Sequence, residues 1–147
     1  MQTRTSHEDE QAVRKAAAQF YTALNAMLAG DPNPLKEVYS HADDVTYMGA
    51  AGDFRIGWDQ VYADWQAQAD MVPGGQAAPV DIHVTVGQDM AVTQNYTRGE
   101  VKNQAGEFQK TLLRETCVFR QEDGKWKMIA HHADALPFLV EWRASLA

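Results

Sequence analysis

Cysteine is nearly absent from this sequence, and basic residues are fewer than acidic ones. The 147 residues contain one cysteine, Cys117, which excludes an intramolecular disulfide. The 13 Lys and Arg against 20 Asp and Glu give a formal net charge of −7, which argues against binding to nucleic acid or to an anionic membrane surface. Because Cys117 stands in the middle of a predicted strand, we expect a small core hydrophobe rather than a reactive thiolate.

Long apolar runs and metal-binding motifs are also missing. No stretch approaches the roughly eighteen apolar residues of a membrane span. The first residues, MQTRTSHEDEQ, lack the apolar core of a secretory signal, so we expect a cytoplasmic protein with no membrane partner. No C-x-x-C or H-x-H spacing occurs, and Gly74-Gly75 is not followed by Lys and Ser or Thr. We therefore expect neither a metal site nor a phosphate cradle, and no cofactor.

The sequence does contain helical periodicity in its first half and strand periodicity in its second. The predicted helices are 7–29, capped by Ser6 with Asp9, then 34–39 and 58–71, with a short closing helix in 136–147. The predicted strands are 45–49, 53–56, 80–86 after a loop to 79, 90–100 and the two arms of a hairpin over 112–134. This order predicts one α+β domain over 1–147, a cone-shaped curved antiparallel sheet wrapped around a long N-terminal helix and two shorter ones, with a pocket.

The most informative segment is 112–134, which predicts a β-hairpin around the turn 121–124. Partners across an even-length loop point to the same side of a sheet, so two sets of side chains should share one face. They are Leu113, Glu115, Cys117 and Phe119 on the first arm, and Trp126, Met128, Ala130, His132 and Asp134 on the second. This face is apolar at one end and titratable at the other, which predicts a buried polar network or a small-molecule site.

Glu115, His132 and Asp134 are the candidate catalytic residues. In the expected register Glu115 and His132 lie opposite or diagonal to each other, where a carboxyl and an imidazole can exchange protons near neutral pH. Asp134 would orient the imidazole. Three roles stay open for the pair: catalysis, ligand contact without chemistry, and a hydrogen bond that only rigidifies the core. His131 and Arg114 alternate onto the opposite face, where we expect a dimer surface.

Aromatic and apolar side chains are numerous enough to line a pocket. The candidate pocket residues are Tyr47, Trp58, Tyr62, Trp65, Tyr96, Cys117, Phe119, Trp126 and Met128. As a group they indicate a small apolar or aromatic ligand, because concave sites are mostly apolar with a few polar anchors. Strand 90–100 can present either of two faces inward: Val92, Gln94 and Tyr96, or Thr93, Asn95 and Thr97.

Short patterns along nearly the whole chain resemble one protein superfamily. They are Ala29-Gly30-Asp31, the strand that leads to Gly49, Gly57-Trp58, Arg114-x-Thr116-x-x-Phe119, Asp123-Gly124-x-Trp126 and His132-x-Asp134. Together they resemble the nuclear transport factor two-like superfamily, in particular its SnoaL-like branch. The segment around Glu115-Thr116 and the stretch from Asp123 to Trp126 are also similar to the association domain of calcium/calmodulin-dependent kinase II.

The resemblance implies an α+β cone with a pocket, usually a homodimer built on the open sheet face. The superfamily includes isomerases, dehydratases, polyketide cyclases, oxygenase subunits and non-catalytic assembly domains, so the fold does not decide the function. In an ungapped comparison with the ketosteroid isomerases, the catalytic aspartate falls on Gly49, the oxyanion-hole tyrosine near Ala23 and the second oxyanion-hole acid on Glu115. Without that aspartate, the isomerase proton transfer is not expected in the same form.

Two functions therefore stay open. The first is a cofactor-independent isomerase, cyclase or dehydratase that acts on an apolar organic substrate. The second is a non-catalytic dimerisation or ligand-sensing domain. An enzyme should keep its polar cluster at the end of an open pocket, whereas an assembly domain can have the pocket collapsed and the polar pair sealed.

Overall fold

The computed structural model describes residues 5–135, which fold as an α+β structure and confirm the expected class. The helices are α1 Ser6–Leu28, α2 Leu35–Val38 and α3 Trp58–Met71. The strands are β1 Thr46–Met48, β2 Phe54–Ile56, β3 Gly75–Val86, β4 Met90–Lys102, β5 Phe108–Glu122 and β6 Lys125–Ala135. The helix expected within 136–147 lies outside the described residues. None of the helices in the described range is both long and apolar enough to cross a membrane.

Several predicted element boundaries are wrong, and the starts of α1 and β3 are examples. The N-cap of α1 is Thr5, whose side chain accepts from the Glu8 backbone while the Glu8 side chain accepts from the Thr5 backbone. This capping box lies one residue before the predicted one, because glutamate reaches back to the cap better than the shorter aspartate does. Strand β3 begins at Gly75, so the segment expected to be a loop up to position 79 already pairs with β4.

The six strands form one sheet in the order β2-β1-β6-β5-β4-β3. Strands β3 to β6 follow each other as an antiparallel meander, and the short β1–β2 hairpin joins the far side of β6. The β1–β6 pair is parallel, whereas all-antiparallel pairing was expected. Helices α1 and α3 cover one face of the sheet, called here the inner face, which carries Tyr47, Glu115, Phe119 and Met128.

One residue of β6 has no partner in β5. Phe119 pairs with Met128, but Val118 pairs with Ala130, so Ile129 is the extra residue of a β-bulge. Side chains alternate along a strand, and one extra residue therefore exchanges the two faces for everything that follows it. Before Ile129 the even-numbered side chains of β6 point inward, and after it the odd-numbered ones do.

Because of the bulge, the predicted hairpin face is right for the first arm and for the second arm up to Met128, and wrong for the second arm after Ile129. The turn is the two-residue Asp123-Gly124 with φ +52° and +77°, as expected for an even-length loop. Trp126 and Met128 are 8% and 0% exposed, which confirms their inward direction. Ala130, His132 and Asp134 instead lie on the opposite face, called here the outer face.

Strand β4 presents its threonines to the inner face. Thr93 and Thr97 are each 2% exposed, whereas Tyr96 is 41% exposed on the outer face. Of the two faces left open for this strand, the structure selects the one with Thr93, Asn95 and Thr97 inward. The reason is the register with β5, where Asn95 lies opposite Glu115 and Thr97 opposite Leu113.

Replacing Trp126 by Ala should lower the free energy of unfolding by about 3–5 kcal/mol, because a buried indole would leave a cavity in the core. Urea denaturation measures this change. Phe108→Ala is the matched control. Because this aromatic residue is 62% exposed, its replacement should lower the free energy of unfolding by under about 1 kcal/mol. A loss of under about 1 kcal/mol for Trp126→Ala would contradict the inward direction of the indole.

Candidate functional site

Glu115 is the buried acid of the site and is 4% exposed on the inner face of β5. Tyr21 from α1 and Thr97 from β4 donate hydrogen bonds to its Oε2, at 2.5 and 2.7 Å. Its other oxygen, Oε1, lies 3.6 Å from Nε2 of His131. Two hydroxyl donors therefore occupy Oε2, and Oε1 keeps capacity to accept a further hydrogen bond.

The amide of Asn95 supports these hydrogen bonds. Its Nδ2 donates to the backbone carbonyl oxygen of Tyr96 at 2.9 Å and contacts the hydroxyls of Tyr21 and Thr97 at 2.8 and 3.1 Å. Both hydroxyls donate to Glu115 because a carboxylate oxygen only accepts, and the one remaining amide hydrogen of Asn95 is shared between the two hydroxyl oxygens. Burial, followed by the charge of Glu115, raises the pKa of Tyr21, which keeps this phenol protonated as a donor.

His131 lies where His132 was expected. It is 3% exposed and is enclosed by the rings of Phe20, Tyr47 and Trp65, at centroid distances of 5.0, 5.4 and 5.8 Å. Burial lowers the pKa of His131, because the apolar rings cannot solvate an imidazolium, and the nearby carboxylate only partly opposes this shift. The imidazole is therefore held in its neutral form over more of the pH range than a solvated histidine.

The neighbours of His131 indicate its tautomer. Nε2 faces an oxygen of Glu115 at 3.6 Å, and Nδ1 faces the sulfur of Cys117 at 3.6 Å. Because the carboxylate oxygen accepts, the hydrogen belongs on Nε2, and Nδ1 is left to face the thiol. Burial raises the pKa of Cys117, which is 2% exposed, so the thiol stays protonated in the core as the sequence indicated.

His132 and Asp134 lie on the outer face, which corrects their predicted position beside Glu115. Their side chains are 49% and 57% exposed. The expected contact between them exists, with His132 Nε2 2.8 Å from Asp134 Oδ2, but the bulge at Ile129 has turned both away from the interior. Across residues 5–135, no three His, Cys, Asp or Glu side chains are grouped closely enough to hold a metal ion.

A cavity of about 1410 Å³ lies between the inner face and the helices. Its apolar walls include Leu24 and Met27 of α1, while Thr97, Glu115 and His131 supply polar groups on the sheet side. An apolar hollow with a few polar groups is the usual form of a small-molecule site.

The cavity exists because the inner face carries large side chains at one end and small ones at the other. Phe119 and Met128, near the Asp123-Gly124 turn, are 0% exposed and fill the space beneath the sheet. Toward the other end, Gly99 and Ala133 leave that space empty. At Gly99 even a Cβ would lie 2.7 Å from Oγ1 of Thr111, so a larger residue there would collide with β5.

Tyr47 brings another hydroxyl to the cavity wall. Its ring stacks on Trp65 at a centroid distance of 4.5 Å and an angle of 5°. Nε2 of Gln68 donates to the Tyr47 hydroxyl at 2.8 Å and to Asp64 Oδ1 at 3.0 Å, while Arg55 holds Asp64 Oδ2 at 3.1 Å. Burial raises the pKa of Tyr47, so its phenol also stays protonated.

The predicted pocket residues divide into three groups. Tyr47 and Trp65 line the cavity. The structure places Cys117, Phe119, Trp126 and Met128 in the packed core, none of them more than 8% exposed. Trp58 and Tyr62 stack on each other with ring centroids 5.1 Å apart, and Trp58 also stacks on the exposed His41 at 4.5 Å. Tyr96 lies on the outer face. These seven residues lie outside the cavity lining, because each packs against its neighbours or faces away from the helices.

The sequence analysis missed Tyr21 and Gln68, and it left Thr97 on one of two possible inward faces of strand 90–100. The comparison with the ketosteroid isomerases placed the helical tyrosine near Ala23, and Tyr21 was not among the candidate residues. Tyr21 does follow Ala17 at i+4 on the buried side of α1, so the helical period alone could have assigned it to the interior. No local signal marks Thr97 or Gln68, whose roles come from strand register and from the packing of α3.

Comparisons with known proteins agree with this geometry. The model of the SnoaL-like domain matches residues 13–136. A proposed dehydratase of the nuclear transport factor two-like family from Streptomyces avermitilis is 24% identical, over 90% of this chain and 99% of that one, with a TM-score of 0.79. A proposed calcium/calmodulin-dependent protein kinase II association domain from Xanthomonas campestris is 23% identical, over 84% of this chain and 87% of that one, with a TM-score of 0.71.

A third solved structure has the same fold. A proposed ketosteroid isomerase from Shewanella frigidimarina is 20% identical, over 84% of this chain and 94% of that one, with a TM-score of 0.67. None of the curated proteins matches this chain in sequence. These likenesses confirm the expected nuclear transport factor two-like fold and leave the chemistry to the residues of the site.

Replacing His131 by Gln should make the stability less dependent on pH below 6.5. In the unfolded chain His131 takes up a proton near its ordinary pKa of 6.5, but the folded protein does so only at lower pH. The unfolded state therefore binds more protons in this window, and the free energy of unfolding falls as the pH is lowered from about 6.5 toward 5. His131→Gln removes this contribution, as urea denaturation at several pH values should show.

Met27→Leu is the control for that experiment, because it alters a buried side chain and removes no titratable group, so the pH dependence should be unchanged. If the His131→Gln profile were as steep as that of the unmodified protein, the assignment of the buried histidine would be contradicted.

Proposed function

Because this chain belongs to the SnoaL-like domain family, we propose that its cavity binds a small apolar organic molecule on which Glu115 transfers protons. The observation that supports this most is the unequal use of the two oxygens of Glu115. Tyr21 and Thr97 hold Oε2, while Oε1 has, among residues 5–135, only the distant Nε2 of His131 as a neighbouring donor. A held carboxylate with one accepting oxygen at an apolar cavity is suited to act as a general base.

The reaction class is isomerisation, cyclisation or dehydration without a cofactor. Each of these reactions removes a proton from one atom of the substrate and delivers a proton to another. Glu115 supplies the accepting oxygen, and neutral His131, 3.6 Å away, is the second group that can hold or pass a proton. Two of the structural relatives are a proposed dehydratase and a proposed ketosteroid isomerase, whose names describe reactions of this class.

The proton transfer can be tested on an apolar ketone before the natural substrate is identified. In D2O, 2-acetylnaphthalene exchanges the hydrogens next to its carbonyl for deuterium when a base removes them, and NMR measures the rate. The protein should accelerate this exchange. Glu115→Gln keeps the size of the side chain but loses the basic oxygen, so the acceleration should fall by about 10²–10⁴-fold.

His132→Gln is the control variant and should keep the rate of the unmodified protein, because His132 lies on the outer face. Equal acceleration by Glu115→Gln would contradict the role of this carboxylate. No acceleration by the unmodified protein would refute general base catalysis and leave ligand sensing or assembly as the function.

The outer face supports a second proposal, a homodimer formed through the open sheet. Large apolar side chains are exposed there: Met48 by 37%, Phe54 by 54%, Ile56 by 55% and Tyr96 by 41%. Exposed apolar surface on one side of a domain is typical of a protein–protein interface. This dimer is compatible with catalysis in the cavity, and it is also the main function that a non-catalytic assembly domain would have.

Tyr96→Asp should convert the dimer into a monomer, because it replaces an exposed apolar side chain of the outer face by a charge. The register sets Arg114 beside position 96, so the fold itself should tolerate the new carboxylate. Light scattering distinguishes a single 16.4 kDa chain from a pair. Met71→Asp, at a residue 68% exposed on α3, is the control and should leave the pair intact. A monomeric unmodified protein would contradict the proposed dimer.

A further inference from the structure

The side-chain amide of Gln68 can face only one way. Its Nε2 lies 3.0 Å from Oδ1 of Asp64, whose other oxygen is held by Arg55. A carboxylate paired with an arginine accepts hydrogen bonds and does not donate them, so the NH2 group of Gln68 must face it. The same Nε2 lies 2.8 Å from the hydroxyl of Tyr47. The Tyr47 oxygen therefore accepts from Gln68, and the hydrogen of its own hydroxyl is directed elsewhere.

The hydroxyl hydrogen of Tyr47 has no acceptor among residues 5–135. Within that range the Tyr47 hydroxyl makes one hydrogen bond, in which its oxygen accepts from Gln68. The residue is 4% exposed and borders the cavity. Its ring is fixed between the stacked ring of Trp65 and the edge of His131. Gly49 lies against the hydroxyl, since a Cβ there would be 2.6 Å away from it. A buried O–H that lacks an acceptor is costly, and an acceptor on a ligand would satisfy it.

The cavity thus offers two different hydrogen-bonding groups in an apolar surround. Tyr47 is a donor whose oxygen is already used by Gln68, and Glu115 is an acceptor whose Oε2 is already used by Tyr21 and Thr97. A carbonyl oxygen suits the donor better than a hydroxyl does, because it accepts without bringing a hydrogen that needs its own acceptor.

We infer that the ligand is an apolar carbonyl compound and that Tyr47 is the residue that recognises its carbonyl oxygen. This inference rests on the proposed binding function of the cavity and adds the class of ligand. It also assigns Tyr47 a role as a hydrogen-bond donor, beyond that of an aromatic wall. Glu115 then faces the part of the ligand that carries a hydroxyl or an acidic C–H hydrogen.

The test measures the affinity of three probes that share one ring system: naphthalene, 2-acetylnaphthalene with a carbonyl, and 2-naphthol with a hydroxyl. Equilibrium dialysis measures each against the full chain. The protein should bind both substituted probes more tightly than naphthalene. Tyr47→Phe should weaken the affinity for 2-acetylnaphthalene about five- to tenfold, which corresponds to one neutral hydrogen bond. It should change the affinities for naphthalene and 2-naphthol by less than about twofold.

Two further variants complete the design. Glu115→Gln should weaken the affinity for 2-naphthol and change the affinity for 2-acetylnaphthalene by less than about twofold, which is the reverse of the Tyr47→Phe pattern. Tyr62→Phe is the matched control, because the Tyr62 hydroxyl donates to Asn33 at 3.3 Å away from the cavity and should affect no probe.

The outcomes separate this inference from the proposed function. If Tyr47→Phe binds the carbonyl probe as tightly as the unmodified protein does, or weakens all three probes equally, Tyr47 is not the carbonyl donor and the inference is overturned. In that case, tight binding of naphthalene would still support the cavity as a binding site. If the unmodified protein binds none of the probes, the binding function itself is refuted and the inference falls with it.

Discussion

The extra residue in β6, Ile129, determines which histidine enters the interior. Strand β6 is paired on both sides, antiparallel with β5 and parallel with β1, so its side chains cannot change face independently of the sheet. A regular strand would carry His132 and Asp134 inward. The bulge instead places His131 3.6 Å from Glu115 and leaves the other two in solvent. Bulges beside functional sites often redirect a side chain in this way.

Two side-chain amides contact the hydroxyls around the cavity. Asn95 is anchored by a backbone carbonyl and contacts the hydroxyls of Tyr21 and Thr97, which both donate to the carboxylate of Glu115. Gln68 is anchored by Asp64 and donates to the hydroxyl of Tyr47, whose own hydrogen must therefore point elsewhere. The roles of the three hydroxyls follow because the carboxylates of Glu115 and Asp64 accept hydrogen bonds and do not donate them. The cavity is therefore prepared with an acceptor and a donor in defined places.

Much of the fold could be predicted from the sequence, because it depends on periodicity. Helix α3 has the predicted bounds since its apolar residues recur at helical spacing, and the inward direction of Trp126 and Met128 follows from an even-length turn. The position of His131 could not be predicted, because Ile129 is an ordinary strand residue and nothing local marks a bulge there. Glu115 was assigned correctly to the interior, because it lies on β5 and the extra residue of the bulge is on β6.

The most direct test of this account measures which of the two adjacent histidines reacts with diethyl pyrocarbonate, a reagent that acylates imidazoles accessible to solvent. Fragment mass spectrometry, with the His131→Gln and His132→Gln variants to assign the signals, locates the modification. We expect that His132 is modified in the folded protein, that His131, which is 3% exposed, is protected, and that both react in urea. Modification of His131 with protection of His132 in the folded protein would contradict the bulge, and with it the site built on Glu115 and His131.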